Sequence, residues 1–468
     1  MTHPEDIALL ELTEVAELIR TRRVTSSEVT DEVLARIAEH DPRLHSHVHV
    51  MAEEARTAAA VADAEIVHGR YRGVLHGVPI AVKDLCFTTD APTASGGTIH
   101  SGFMAPHDAT VVARLRAAGA VITGKLRMTE GAFTSHHPDL PVPVNPWDAD
   151  TWSGVSSSGS GVAAAAGLAF GTIGTDTGGS IRLPSAANGV TGLKPTWGRV
   201  SRHGTTALAQ SMDHVGPMTR SARDCAAMLG VIAGEDVLDP TASLHPVPDY
   251  LGEIALRSVP RLGVDRALNE TFDEPTQRML DGVVEVAREL GWTVLEITTP
   301  DLPGIAQTWG ALCAVETAHE HRETYPERKD EYGPHLAGLI DLGRSMSALE
   351  LQRLQEERRA FTGRLRRTFL AVDLLLLPGV GMASPTVAML DELGSDPDLL
   401  SALLTPTAPI DLAGVPSLTM PGGVTERGTP LGFQLVGADF SEQLLLQAGH
   451  AYQRATDHHR RHPDLTKG

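Results

Sequence analysis

Cysteine, aromatic residues and lysine are all scarce in this chain, and each scarcity removes a class of explanation. The three cysteines, Cys86, Cys225 and Cys313, are far apart and form no CxxC pair. Neither a disulfide framework nor a zinc site of that kind is indicated, and a reducing, cytoplasmic setting is the expectation. Aromatic residues make up 4% of the chain, so a large core must be aliphatic and alanine-based. No excess of basic charge is present. The net charge of −20 is the opposite of a nucleic-acid footprint and does not favour anionic membranes. No apolar run reaches the roughly 18 residues of a spanning helix. The first twenty residues, MTHPEDIALLELTEVAELIR, are acidic and place no basic segment before an apolar run, so no signal peptide is expected. Lysine occurs five times, at 83, 125, 194, 329 and 467, against 34 arginines. Lysine can lose its proton near neutral pH when buried and arginine cannot, which draws attention to Lys83, Lys125 and Lys194.

What is present is organised around residues 152–184, WSGVSSSGSGVAAAAGLAFGTIGTDTGGSIRLP. Serine-glycine runs are often flexible linkers. This one is short and is followed at once by an alanine-rich stretch, so it reads as a turn into a buried helix. The later Thr177-Gly178-Gly179-Ser180 offers a turn with two positions free of side chains. Consecutive N–H groups there can converge on one oxygen, with a serine hydroxyl beside them, which suits acyl transfer. A P-loop would need Gly-Lys-Ser/Thr, which is absent, and the GxSxG elbow is matched only in part.

Upstream, Thr25-Ser26-Ser27-Glu28 has capping-box spacing, and Val29, Val33 and Ile37 follow at four-residue steps. Such an amphipathic helix covers the body of an enzyme or mediates a homodimer. His45, His47 and His49 alternate, as metal ligands or as an ordinary strand edge in a chain with 21 histidines. In GVPIAVKD, at 77–84, alternating Val78, Ile80 and Val82 predict a strand ending at Lys83. That lysine either is partly desolvated, which favours its neutral basic form, or reaches solvent. A helix over 108–119 and a strand in AVITG follow. This strand-helix-strand rhythm predicts a largely parallel α/β sheet. Farther on, helices are expected over 273–290 and from 347, with strands at WTVLEI and 374–377.

Several segments together resemble one family. They are GVPIAVKDL around Lys83, NPWD at 145–148, the serine-glycine run, GTDTGGSIRLPSAANGVTGLKPTWGRVS at 174–201, SMDHVGPMTR at 211–220, TAPIDLAGVPSLTMPGG at 407–423 and PLGFQLVG at 430–437. The chain resembles the amidase signature family from about residue 12 to 455. The resemblance implies one α/β domain over 1–468, a mixed, largely parallel sheet flanked by helices. Within it, 1–75 would be an N-terminal helical cover, 76–230 the catalytic core, 240–375 a variable substrate-entrance region and 376–455 the C-terminal part of the core.

The resemblance further implies a Ser–cis-Ser–Lys triad: Ser180 as nucleophile, Ser156 as relay serine in a cis peptide and Lys83 as base. The backbone N–H groups of Thr177, Gly178, Gly179 and Ser180 would form the oxyanion hole, with no metal or organic cofactor. Val155 and Ser158 stand where the family has glycines. Three serines in a row leave Ser157 as an alternative relay; the family spacing of 24 residues selects Ser156. The segment LRMTEGAF at 126–133 departs from the family pattern, where relatives line the acyl pocket. Met128, Gly131 and Phe133 are therefore candidate substrate contacts, with Arg127 and Gly131 pointing to a changed, roomier pocket. Trp309 is either a further contact or a core residue. Asp176 and Arg182 read as a buried pair bracing the turn. The implied activity is hydrolysis of amide C–N bonds, with small-molecule amides, aryl amides, esters and carbamates as possible substrates. The amidase component of a tRNA-dependent amidotransferase and a non-catalytic binding protein on the same fold are the alternatives.

Overall fold

A computed structural model describes residues 7–391 and 397–466; the first six residues of the acidic N-terminal stretch, and Lys467, lie outside the described residues. The strands are β1 (His47–Val50), β2 (Pro79–Lys83), β3 (Val121–Leu126), β4 (Gly171–Asp176), β5 (Thr191–Lys194), β6 (His214–Thr219), β7 (Arg261–Val264), β8 (Thr293–Glu296), β9 (Leu374–Pro378), β10 (Ser417–Val424) and β11 (Pro430–Gly437). All eleven form one sheet in the order β1-β3-β2-β4-β6-β5-β10-β11-β9-β7-β8. Helices flank this single mixed α/β domain.

The sheet is less parallel than the strand-helix-strand rhythm predicted. Among the described residues, β2 pairs in parallel with β3 and β4, and β7 with β8 and β9. The other six pairings are antiparallel. The rhythm holds where helices cross between strands. It fails at β10 and β11, where a short connection reverses the chain into a hairpin, and at β6, which returns after the Arg182–Asn188 helix and β5 to enter antiparallel beside β4. Central strands such as β2, β4 and β6 are buried along their whole length. Layers on both faces leave them no solvent-facing side, so the polar residues they carry, such as Thr172, Asp176 and His214, are buried as well.

The local predictions hold closely. The Ser26–Leu44 helix carries the full capping box, Thr25 accepting from Glu28 N–H and Glu28 from Thr25 N–H. The helices Glu274–Glu289 and Ala348–Ala371 begin at Asp273 and Ser347, whose side chains cap them. The serine-glycine run turns into the Ser158–Ala165 helix, every residue of which is buried. A Cβ on Gly159 would lie 2.4 Å from the Ser46 carbonyl oxygen, so a bare backbone is required there.

The three alternating histidines do not converge. His45 caps the preceding helix in the left-handed region. His47 is buried against Asp41 and Ser46, and His49 is exposed beyond a register shift. No helix among the described residues is long and apolar enough to cross a membrane.

Candidate active site

The site forms where β2 and β4 end side by side. Their parallel register, Ile80 with Gly171 and Val82 with Ile173, brings Lys83 beside Gly174, next to Thr175 near the end of β4. The carboxyl ends of parallel strands are where open α/β sheets place their ligands. Lys83 is fully buried, and its Nζ lies 2.7 Å from Ser156 Oγ, 2.8 Å from Ser157 Oγ and 2.8 Å from Thr175 Oγ1. Burial brings its pKa down from 10.5 to about 7, against the opposing pull of Cys86, Asp176 and Asp213. The lysine is thus surrounded by hydroxyls with no carboxylate in contact among the described residues. Thr175 was not foreseen; only the β2–β4 register reveals it.

The peptide bond between Val155 and Ser156 is cis. Ser157 Oγ is already engaged, donating to Thr175 O at 3.2 Å and accepting from Thr175 N–H at 3.2 Å. The carbonyl of Ser180 accepts from Ser157 N–H at 3.3 Å, which ties the two serine segments together. From Ser156 to Asn188 every residue is buried except Ser180, which is half-buried. No hydrogen bond joins Ser180 Oγ to Ser156 Oγ.

The turn before Ser180 is braced as the sequence indicated. Asp176 and Arg182 are fully buried, with 3.0 Å between Oδ1 and Nη2. The Asp176 carboxylate also accepts from the N–H groups of Gly179 at 2.7 Å, Ile181 at 3.0 Å and Arg182 at 3.3 Å. Burial would raise its pKa, but the Arg182 charge, Lys194 and these donors hold it below the usual carboxylate range. Arg182 also reaches Asp411 at 2.5 Å, where burial and the neighbouring Asp176 charge push the carboxyl well above its usual value.

This bracing corrects one of the four expected oxyanion donors. The Gly179 N–H is spent on Asp176. The N–H groups of Thr177, Gly178 and Ser180 have no such partner among the described residues.

The pocket segment lies against the relay candidates, since Thr129 N–H donates to Ser156 O at 3.2 Å. Met128 is buried, and Phe133 packs on a small cluster that includes Tyr325, Tyr332 and Leu336. Gly131, at φ 56°, does not open a void. An ideal Cβ there would be 2.7 Å from Leu336 Cδ2, so that leucine occupies the room a larger residue would take. Trp309 is 6% exposed and donates through Nε1 to Thr177 O at 2.6 Å. It contacts the turn before Ser180 itself. Of the family departures, Ser158 Oγ meets His136 Nε2 at 3.0 Å, and Val155 packs half-buried on the core.

The family model described as Amidase matches residues 28–446. The chain belongs to the amidase family. This amidase is 57% identical over 459 residues to the Mycobacterium tuberculosis protein named "Putative amidase AmiD", covering 98% of this chain and 97% of that one. It is 37% identical over 473 residues to a glutamyl-tRNA(Gln) amidotransferase subunit of Chloroflexus aggregans, covering 95% and 96%. Among solved structures, it is similar to the peptide amidase of Stenotrophomonas maltophilia, with a TM-score of 0.84, 29% identity and coverage of 97% and 98%. The protein is therefore a hydrolase of amide C–N bonds by family.

Proposed function

We propose that this amidase works through an acyl-enzyme on Ser180, with Ser156 as proton relay and Lys83 as base. The observation that carries the reading is the single opening in an otherwise buried stretch. Ser180 is the one residue between Ser156 and Asn188 that is not buried, and the N–H groups of Thr177, Gly178 and Ser180 in the same turn are unspent.

Proton accounting supports Ser156 over Ser157. A neutral lysine has two N–H donors and one lone pair. The Ser157 proton is committed to the Thr175 carbonyl, so Ser157 Oγ can only receive a lysine N–H. In the proposed arrangement Thr175 Oγ1 receives the second N–H, and the lone pair faces Ser156 and accepts its O–H. Near neutral pH a large fraction of Lys83 is in this basic form.

In the proposed cycle Lys83 takes the Ser156 proton and Ser156 takes that of Ser180. Ser180 Oγ attacks the carbonyl carbon. The N–H groups of Thr177, Gly178 and Ser180 receive the developing oxyanion. Ser156 then returns a proton to the leaving amine, and water cleaves the ester by the same relay. The Ser156–Ser180 contact closes when substrate fills the opening; such hydrogen bonds commonly tighten only in the complex. Small amides and aryl amides are the proposed substrates, with esters and carbamates accepted by the same chemistry.

The chain purified alone, given a fluorophosphonate probe and a panel of amides, anilides, esters and carbamates, tests this. Probe mass on Ser180 and anilide turnover without partners are expected. An unlabelled Ser180 would indicate a non-catalytic protein. Labelling without turnover would favour a role within an amidotransferase complex, the reading that the 37% identity to the Chloroflexus aggregans protein supports.

A further inference from the structure

Three successive carbonyls of the turn before Ser180 are each held from outside the site by a side chain. His214 Nδ1 lies 3.1 Å from Asp176 O. A carbonyl can only accept, so Nδ1 carries the proton. Trp309 Nε1 donates to Thr177 O at 2.6 Å, and Thr407 Oγ1 donates to Gly178 O at 2.7 Å. The three come from β6, the Leu302–Glu320 helix and the start of the Ala408–Ala413 helix.

A trans peptide is planar, so its N–H points opposite to its C=O. Fixing each carbonyl therefore fixes the N–H at the other end of the same peptide, that of Thr177, Gly178 and Gly179 in turn. Gly179 is spent on Asp176. The peptide that Trp309 holds carries the Gly178 N–H, which is unspent. The indole also lies against that peptide's Cα: a Cβ on Gly178 would be 2.3 Å from Trp309 Cζ2 and 2.7 Å from Cε2. The turn can adopt this geometry only with a hydrogen at position 178.

We propose that Trp309 is a positioning residue of the oxyanion hole, its indole N–H fixing and polarising the Thr177–Gly178 peptide so that the Gly178 N–H meets the developing oxyanion. The inference rests on the acyl-enzyme reading. A donor at the carbonyl end of a peptide strengthens the N–H at its other end, and a fixed N–H needs no reorganisation during reaction. Trp309 belongs to the 240–375 region, the part of the chain whose sequence is least informative. The same helix ends beside the pocket segment, where His321 Nε2 lies 3.6 Å from an ideal Cβ on Gly131. One helix thus contacts both the oxyanion turn and the segment against Ser156.

The test is replacement of Trp309 by benzothienylalanine, which keeps the bicyclic shape and lacks the N–H, alongside Trp309→Phe. The expected result is a fall in kcat of about tenfold to a hundredfold with KM within about twofold, a modest share of the loss that follows removal of an oxyanion donor. An aldehyde inhibitor that forms a tetrahedral adduct on Ser180 should weaken by the same factor, while a non-covalent amide product analogue should not. Gly178→Ala, which displaces the indole, should give a similar loss, and the double variant with Trp309→Phe should lose far less than the product of the two.

Wild-type kcat and aldehyde affinity in the benzothienylalanine protein overturn the proposal. So does a loss that falls equally on the product analogue. If the wild type itself is not labelled at Ser180 by fluorophosphonate, the acyl-enzyme reading has failed. If labelling is intact and unchanged in rate in the Trp309 variants, only the positioning role has failed.

Discussion

Lys83→Met is the perturbation that separates the lysine's chemistry from its cost to the fold. Methionine has a similar length and no charge. Burial takes the Lys83 pKa from 10.5 to about 7, so between those values the unfolded chain binds a proton that the folded chain does not. Stability therefore rises with pH across that window. Below about pH 7 both states are protonated and the cost is constant; above pH 10.5 both are neutral and it vanishes. The cost of burying this amine comes to about 4 kcal/mol at pH 7 and about 2 kcal/mol at pH 9. Methionine removes the pH-dependent part. It also removes N–H donors from Ser157 and Thr175, a loss that does not vary over this range. The absolute change is therefore less informative than its slope. Urea denaturation at pH 7 and pH 9 should show the stability difference between variant and wild type moving by about 2 kcal/mol in favour of the wild type at the higher pH. Parallel stability curves for the two proteins would refute the depressed pKa. The activity arm uses the same group. Wild-type acylation should rise as pH increases through about 7, and Lys83→Met should be slower by several orders of magnitude at every pH.

Other substitutions test the geometry at single contacts. Ser156→Ala should abolish measurable acylation, whereas Ser157→Ala should slow it far less and cost about 1–2 kcal/mol, because Thr175 N–H and Lys83 lose an acceptor; equal losses in burst-phase kinetics would invalidate the proton accounting. Asp176→Asn breaks a fully buried pair and leaves Arg182 short of its anion, with an expected loss of about 3–5 kcal/mol in chemical denaturation and a lowered kcat. Gly131→Phe forces a side chain at φ 56° into Leu336 and should destabilise by about 1–3 kcal/mol; an unchanged Tm together with a new preference for smaller acyl groups would mean that Leu336 yields and the pocket is adaptable.

Sequence determined what depends on neighbours along the chain. The capping box at Thr25 and Glu28, the strand ending at Lys83 and the buried helix after the serine-glycine run are local consequences of spacing and side-chain shape, and each appears in the structure. The scarcity of lysine correctly drew attention to three that are buried: Lys83, Lys125 paired with Asp84 at 3.3 Å, and Lys194. The family motifs carried the rest of the fold. Only the tertiary structure decided matters that depend on which distant atoms meet. The β2–β4 register placed Thr175 on Lys83, and the Thr175 carbonyl took the Ser157 proton. The Asp176 carboxylate took the Gly179 N–H, which left three donors where the glycine-rich turn had offered four. Leu336 filled the room that Gly131 left, from a helix far along the chain. Trp309, Thr407 and His214 reached the same turn from three separate elements. Backbone preference is written into a few adjacent residues. Hydrogen-bond partners at long range are set only when the sheet fixes the order of its strands.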